Sequence, residues 1–270
     1  HSPEGETLTV LDVQEFALEA KQQLALRGSS GTGKTTFLNC IAGILRPTAG
    51  SVLLNGINIV AGSEGQRDQL RMVFEELDAD DRVRVIVLRA EGKHFSSGGN
   101  IAGFLAASPE HVSKLADNIG APSRSHKPVV AQIRGYSFGV GFELPLACDF
   151  RICSETAQFA LPEQRIGQIP GSGGSIRLLH MIGIQRTKDM TFRSRRVSGA
   201  EAKEWGFVLD CVPDDKLEEA VDAFVDELRE FSPLAQRTIK GVLNAAQNTS
   251  VEAGIEIEGN AYGRLRTSED

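Results

Sequence analysis

Two rhythms of apolar residues alternate along most of this chain, and they predict strands interleaved with helices. RVRVIVLRA (82–90) and KPVVAQIRG (127–135) carry short apolar runs rich in β-branched residues. Such runs suit strands buried on both faces. FRICSETAQFAL (150–161) reads as a strand pair, and GVGFELPLACDF (139–150) as a glycine turn opening a helix. PEHVSKLADNI (109–119) is helical in pattern. In SGAEAKEWGFV, Ser198 fits an N-cap and Gly206 a stop. DDKLEEAVDAFVDELREF and PLAQRTIKGVLNAAQN carry the single apolar stripe of amphipathic helices. Upstream, SVLLNGI fits a strand, and Leu70, Phe74 and Leu77 keep the helical period within QRDQLRMVFEEL. Strands alternating with helices place the chain in the α/β class.

Composition narrows the function classes. A chain of 270 residues, 41% apolar and 24% charged, is ordinary for one or two soluble domains. Its net charge of −7 argues against nucleic acid as a partner. No apolar run approaches the ~20 residues of a membrane helix. HSPEGETLTV shows no basic stretch followed by an apolar one, so no secretory leader is expected. Cys40, Cys148, Cys153 and Cys211 sit in apolar surroundings without C-x-x-C spacing. They read as buried thiols in a reducing cytoplasm, not as a disulfide framework or a zinc site. His94, His126 and His180 show no ligand spacing either, so no metal is expected.

One early motif points to phosphate. GSSGTGKTT (28–36) is G-x-x-x-x-G-K-[ST], with Gly28, Gly33, Lys34 and Thr35 at its fixed positions. QQLALRG before it fits a strand and KTTFLNCIAGIL after it a helix, the context such a loop requires. Backbone N–H groups would converge on phosphate oxygens, Lys34 would reach the outer phosphates and Thr35 would hold magnesium. Residues 6 to about 71 resemble the start of an ABC transporter ATPase subunit. The glutamine loop, LSGGQ-type signature, acidic Asp-Glu pair and switch histidine of that family do not follow. Without an acidic residue to hold metal and polarise water, such a loop binds at most.

The later blocks GKHFSSGGNIAGF, KPVVAQIRGYSFGVGFELPLACDFRIC, AQFALPEQRIGQIPGSGGSIRLLHMIG, RRVSGAEAKEWGFVLDCVPDDKL and SPLAQRTIKGVLN occur in this order. Together they resemble the crotonase (enoyl-CoA hydratase/isomerase) superfamily over residues 72 to 270. That resemblance implies a spiral of β-β-α turns with a helical C-terminal part, assembled as a homotrimer or hexamer. The expected organisation is an ABC-like strand, phosphate loop and helix over residues 1–62, joined to a crotonase-like domain over 63–270.

The resemblance also implies a site. Enolate formation from an acyl-CoA thioester builds negative charge on the thioester oxygen, so two backbone donors must already point there. By correspondence with FSSGG and SFGVGFE, these are the N–H groups of Gly99 and Val140, with Phe95, Ser96, Ser97 and Gly98 lining the substrate. Glu143 and Glu163 match the family's two hydratase glutamates. Glu143 would serve the water and Glu163 the α-carbon, separate proton jobs. No cofactor is implied beyond the coenzyme A that the substrate carries. Hydration of a 2-enoyl-CoA is the expected reaction. Isomerisation, or C–C cleavage of a ring or aromatic acyl-CoA, stands beside it, as does a chimera with residual nucleotide binding. Asn100 stands where many hydratases have Asp, Val140 and Phe142 replace smaller residues expected near the acyl pocket, and NGINIVAGSEG replaces the family's R-P-x-x-x-N-A-L turn.

Overall fold

The computed structural model describes residues 53–54, 57–58, 69–99 and 115–267. Gly28, Gly33, Lys34, Thr35, Cys40 and Asn100 lie outside the described residues, as does the first half of PEHVSKLADNI. The chain divides into two compact units, His1–Gln69 and Leu70–Asp270. In the first, β1 (Leu53–Leu54) and β2 (Ile57–Asn58) form an antiparallel hairpin with Leu54 opposite Ile57.

The second unit is built on a parallel sheet of four strands, β3 (Ile86–Leu88), β4 (Val129–Ile133), β6 (Phe150–Ser154) and β9 (Asp210–Val212), in the order β3-β4-β6-β9. Strand β4 has a neighbour on each side, and all five of its residues are buried. Val129, Ala131 and Ile133 face one apolar cluster, while Val130 faces another with Ile152, Leu217 and Val221. Helix α6 (Leu217–Arg229) covers that second face. RVRVIVLRA, expected to be buried on both faces, forms only the three-residue edge strand β3, where Val87 is 36% exposed. An edge position takes away half of the cover that a continuous apolar run leads one to expect.

FRICSETAQFAL does contain two strands, β6 and β7 (Gln158–Ala160), but they do not pair. Both edges of β6 are taken, by β4 and β9. The chain turns at Ser154, whose carbonyl accepts from the Ala157 N–H at 2.9 Å, and β7 enters a second sheet. There it lies parallel to β5 (Tyr136–Phe138) and antiparallel to β8 (Val197–Ser198).

Helix α1 (Gln69–Ala79) buries Phe74 and packs Leu70 and Leu77 on the main core, as its period predicts. Residues 115–119 and α2 (Ala121–Arg124) are helical. Helix α3 (Val140–Leu146) and helix α4 (Gly174–Phe192), kinked at Gly183, carry the site described below. Ser198 caps α5 (Gly199–Trp205) in a reciprocal capping box with Glu201, and Gly206 ends it. The expected helices near the C-terminus are α6 and α7 (Pro233–Ala246), followed by α8 (Val251–Leu265). Cys148 and Cys153 are buried free thiols, and Cys211 is a half-buried one.

One buried ion pair fastens α7 to the sheet. The Lys240 ammonium donates to Pro122 O at 3.0 Å, Lys127 O at 2.9 Å and Asp149 Oδ2 at 2.7 Å. The same Asp149 oxygen accepts from the Val129 N–H at 2.7 Å. Lys240 is only 9% exposed, so Lys240→Met would strand both the carboxylate and two carbonyls. Urea denaturation of that variant should show a loss of about 3–5 kcal/mol. A loss below about 1 kcal/mol, the range of a surface pair, would contradict the fastening role.

Candidate active site

The site begins where the chain after β3 comes alongside β5. Phe95 N–H donates to Arg134 O at 2.9 Å, Ser96 N–H to Tyr136 O at 2.8 Å, and Phe138 N–H to Ser96 O at 3.0 Å. Ser96 and Ser137 form a parallel bridge. Beyond that bridge Gly98, at φ 103°, lies against the Phe138 carbonyl, for a Cβ on it would be 3.1 Å from that oxygen. Val140 is the first residue of α3, so its N–H has no intrahelical acceptor. Among the described residues neither the Gly99 nor the Val140 N–H has a hydrogen-bond partner. Phe95, Ser96 and Gly98 are half-buried around this point and Ser97 is exposed, so the expected substrate-lining segment is brought to the start of α3.

Gly139 is the hub. Its φ of 54° and ψ of −130° are open to glycine alone, and they turn the chain from β5 directly into α3. Its N–H donates to Ala160 O at 3.0 Å, and its carbonyl accepts from Glu143 N–H at 2.9 Å. Its Cα faces Glu163, for a Cβ there would lie 2.9 Å from Glu163 Oε1. One residue therefore joins the unpaired N–H of Val140 to both glutamates.

The two carboxyls sit in unlike surroundings. Glu143, on the first turn of α3, is 3% exposed. Its Oε1 accepts from the backbone N–H groups of Ser172 at 2.8 Å and Gly174 at 3.0 Å. Gly174 opens α4, and a Cβ on it would lie 2.8 Å from Glu143 Cγ, so the helix start is pressed against this side chain. Glu143 Oε2 has no hydrogen-bond partner among the described residues. Glu163 opens the 3-10 turn Glu163–Ile166 after Pro162. Its Oε2 is buried with no partner among the described residues. Burial pushes its carboxyl up to about 7, opposed by its own backbone N–H and reinforced by the charge of Glu143. Such a value puts proton release near neutrality, where an acid–base group is most effective.

Two corrections to the sequence reading follow. Phe142, expected near the acyl pocket, is fully buried in the core instead. It packs on Phe159 and Phe207 with ring centroids 5.1 and 5.6 Å away. Packing on Phe159 and Phe207, which come from other elements, is not revealed by the neighbours of residue 142 in sequence. The donors Ser172 and Gly174 were not anticipated either. Their signal is the small-residue run IPGSGG before a helix, which exposes backbone N–H groups. Among the described residues no cluster of three or more His, Cys, Asp or Glu could hold a metal ion.

The family model described as Enoyl-CoA hydratase/isomerase matches residues 61–270. The protein named "Probable enoyl-CoA hydratase" in Rhizobium meliloti (strain 1021) is 34% identical over 222 residues, covering 80% of this chain and 83% of that one. Carnitinyl-CoA dehydratase of Proteus mirabilis (strain HI4320) is 33% identical over 210 residues, covering 73% and 79%. The crystal structure of enoyl-CoA hydratase from Bacillus anthracis superposes with a TM-score of 0.72 at 31% identity, covering 75% of this chain and 81% of that one. The two sheets of the second unit and their helices thus form a crotonase-like α/β fold.

The setting of Glu163 has a consequence for stability. A folded-state pKa of about 7 lies above the usual 4.5, so the folded chain holds this proton more tightly than the unfolded chain. The stabilisation is complete below the unfolded value and is lost as pH rises through the folded one. Glu163→Gln cannot ionise. Thermal melts of wild type and variant should therefore nearly coincide at about pH 4 and separate by about pH 8, with the variant melting higher. Curves that stay parallel across that range would contradict the buried, unpartnered setting.

Proposed function

The chain belongs to the enoyl-CoA hydratase/isomerase family, and on that premise we propose that it is a hydratase of a 2-enoyl-CoA. The observation that carries the reading is the pair of unlike carboxyls at Gly139, followed by the Val140 N–H, which has no partner among the described residues. In this reading the thioester oxygen accepts from Gly99 and Val140. Each donor lowers the barrier by ~3–4 kcal/mol as charge develops. The positive end of α3 adds to the attraction. Phe95, Ser96, Ser97 and Gly98 line the acyl-thioester next to these donors.

The proton traffic follows from the two settings. Glu143 Oε1 is held by two backbone donors, so Oε2 is the oxygen free to orient water and take its proton. The water oxygen bonds to the β-carbon, and the C=C pair moves onto the thioester as an enolate. Glu163, half-buried with its Oε2 enclosed and holding its proton up to about neutrality, then gives that proton to the α-carbon, and the enolate collapses to the carbonyl. One proton is taken and one is given, so the active pair carries a single proton. The same steps reversed dehydrate a β-hydroxyacyl-CoA, the direction named for the Proteus mirabilis relative.

The second reading is an isomerase or a C–C lyase or hydrolase on a ring or aromatic acyl-CoA, in which one glutamate dominates. The N-terminal glycine loop with Gly28, Gly33, Lys34 and Thr35 is read as a structural ABC-like remnant that does not turn nucleotide over, with weak nucleotide binding as the alternative. That leaves the chain a chimera, on the ground that the acidic and signature motifs are missing. Assembly as a homotrimer or hexamer is supported by apolar residues left exposed on α7 and α8, including Leu243, Ile255 and Tyr262. A cytoplasmic location and a role in fatty acid metabolism fit free thiols and an acyl-CoA substrate.

Two variants test the reaction. Glu143→Gln and Glu163→Gln should each lower hydration of a short enoyl-CoA by roughly 10²–10⁴-fold. The double variant should lose much less than the product of the two. Deuterium exchange from solvent into the α-carbon of a saturated acyl-CoA should fail only in Glu163→Gln. Full hydratase activity in Glu143→Gln would end the assignment and favour the isomerase reading.

A further inference from the structure

We infer that Arg177 is a positioning residue for Glu143, acting through the loop that donates to it; the catalytic part of this inference rests on the reading of Glu143 given above. Arg177 lies on the first turn of α4, its N–H donating to Gly173 O at 2.9 Å. Its side chain folds back over the start of the helix. Nη1 donates to Ser172 O at 2.8 Å. The guanidinium occupies the space a side chain at Gly173 would need, with Cζ 3.2 Å from the position of that missing Cβ.

The peptide that Arg177 grips, Ser172 C=O to Gly173 N–H, lies between the two peptides that carry the donors to Glu143. Ser172 N–H and Gly174 N–H both converge on Glu143 Oε1. Gly173 between them stands at φ 94° and ψ 6°, a left-handed residue that aims both donors the same way. A glycine at such a junction rotates easily, so the direction of the donors depends on what holds the Ser172 carbonyl. Arg177 is the side chain that does so. It makes no ion pair with a carboxylate within 4 Å among the described residues, so the carbonyl is its specific partner. The charges around it are Glu143, which attracts it, and Arg124 beside Gly120, which repels it. Arg177 is thus a cation kept next to the site without a salt-bridge partner among the described residues. Its reach from α4 to the loop couples the helix to the orientation of the water-serving carboxylate.

Arg177→Met keeps the aliphatic stem and removes the donors, whereas Arg177→Lys keeps the charge and one donor group. Hydrogen exchange of the full chain, read by mass spectrometry, should show the amides of 172–174 exchanging about tenfold faster or more in Arg177→Met, with the β4 and β6 amides unchanged. Arg177→Lys should recover much of that protection. In the hydratase assay, Arg177→Met should lower kcat roughly 10–100-fold, the size expected for misplacing a reacting group, with KM little changed. Deuterium exchange at the α-carbon, the task of Glu163, should stay within a few-fold. Wild-type protection of 172–174 in Arg177→Met would overturn the proposal, as would a parallel fall in hydration and α-carbon exchange, which is the mark of a scaffold role. If wild type hydrates no enoyl-CoA yet Arg177→Met still exposes the 172–174 amides, the hydratase reading fails and the hold of Arg177 on the donors of Glu143 stands.

Discussion

A carboxylate taken almost wholly out of water must find donors, and Glu143 dictates much of this site by that requirement. An unpaired buried charge costs several kcal/mol or more. Charge-assisted bonds from backbone N–H groups offset such a cost. The donors come from Ser172 and Gly174, about thirty residues downstream, so the loop before α4 must press against the first turn of α3. Gly174 permits that approach, since even a methyl group there would collide with Glu143 Cγ. The packing of α3 on α4 and the chemistry of Glu143 are therefore one constraint.

Gly139 extends the constraint to the other groups. Its unusual backbone angles end β5 and start α3 within one residue, which leaves the Val140 N–H without a partner among the described residues. The same residue backs Glu163. The two acids then differ because their partners differ. Glu143 has donors on one oxygen, whereas Glu163 has a buried oxygen with none among the described residues, and burial raises the proton affinity of Glu163. A pair separated in this way can divide the roles of base and acid.

Part of this was legible in the sequence. Gly99, Val140, Glu143 and Glu163 stand out through the resemblance of FSSGG, SFGVGFE and LPEQRIG to the crotonase superfamily, and Glu143 also as an acid among the apolar neighbours of ELPLAC. Helix periodicity placed Leu70, Phe74 and Leu77 correctly on the core. What sequence could not show was partnership over distance. The strands of FRICSETAQFAL are visible, but their separation into two sheets depends on β9 claiming the free edge of β6. The burial of Phe142 depends on Phe159 and Phe207 arriving from elsewhere. Arg177 looks like any helix-surface arginine until the loop at Ser172 is seen beneath it.

The central claim is that the site works as a pair sharing one proton, with Glu163 holding it up to about neutrality. The pH dependence of kcat/KM for hydration of a short 2-enoyl-CoA tests this most directly, because it reports the titration of the free enzyme. The account predicts a decline on the alkaline side with a midpoint near the value of about 7 set by the burial of Glu163. By microscopic reversibility, dehydration of the matching β-hydroxyacyl-CoA should share that midpoint. A profile that stays flat to about pH 9 would contradict a proton held by Glu163 in the active form.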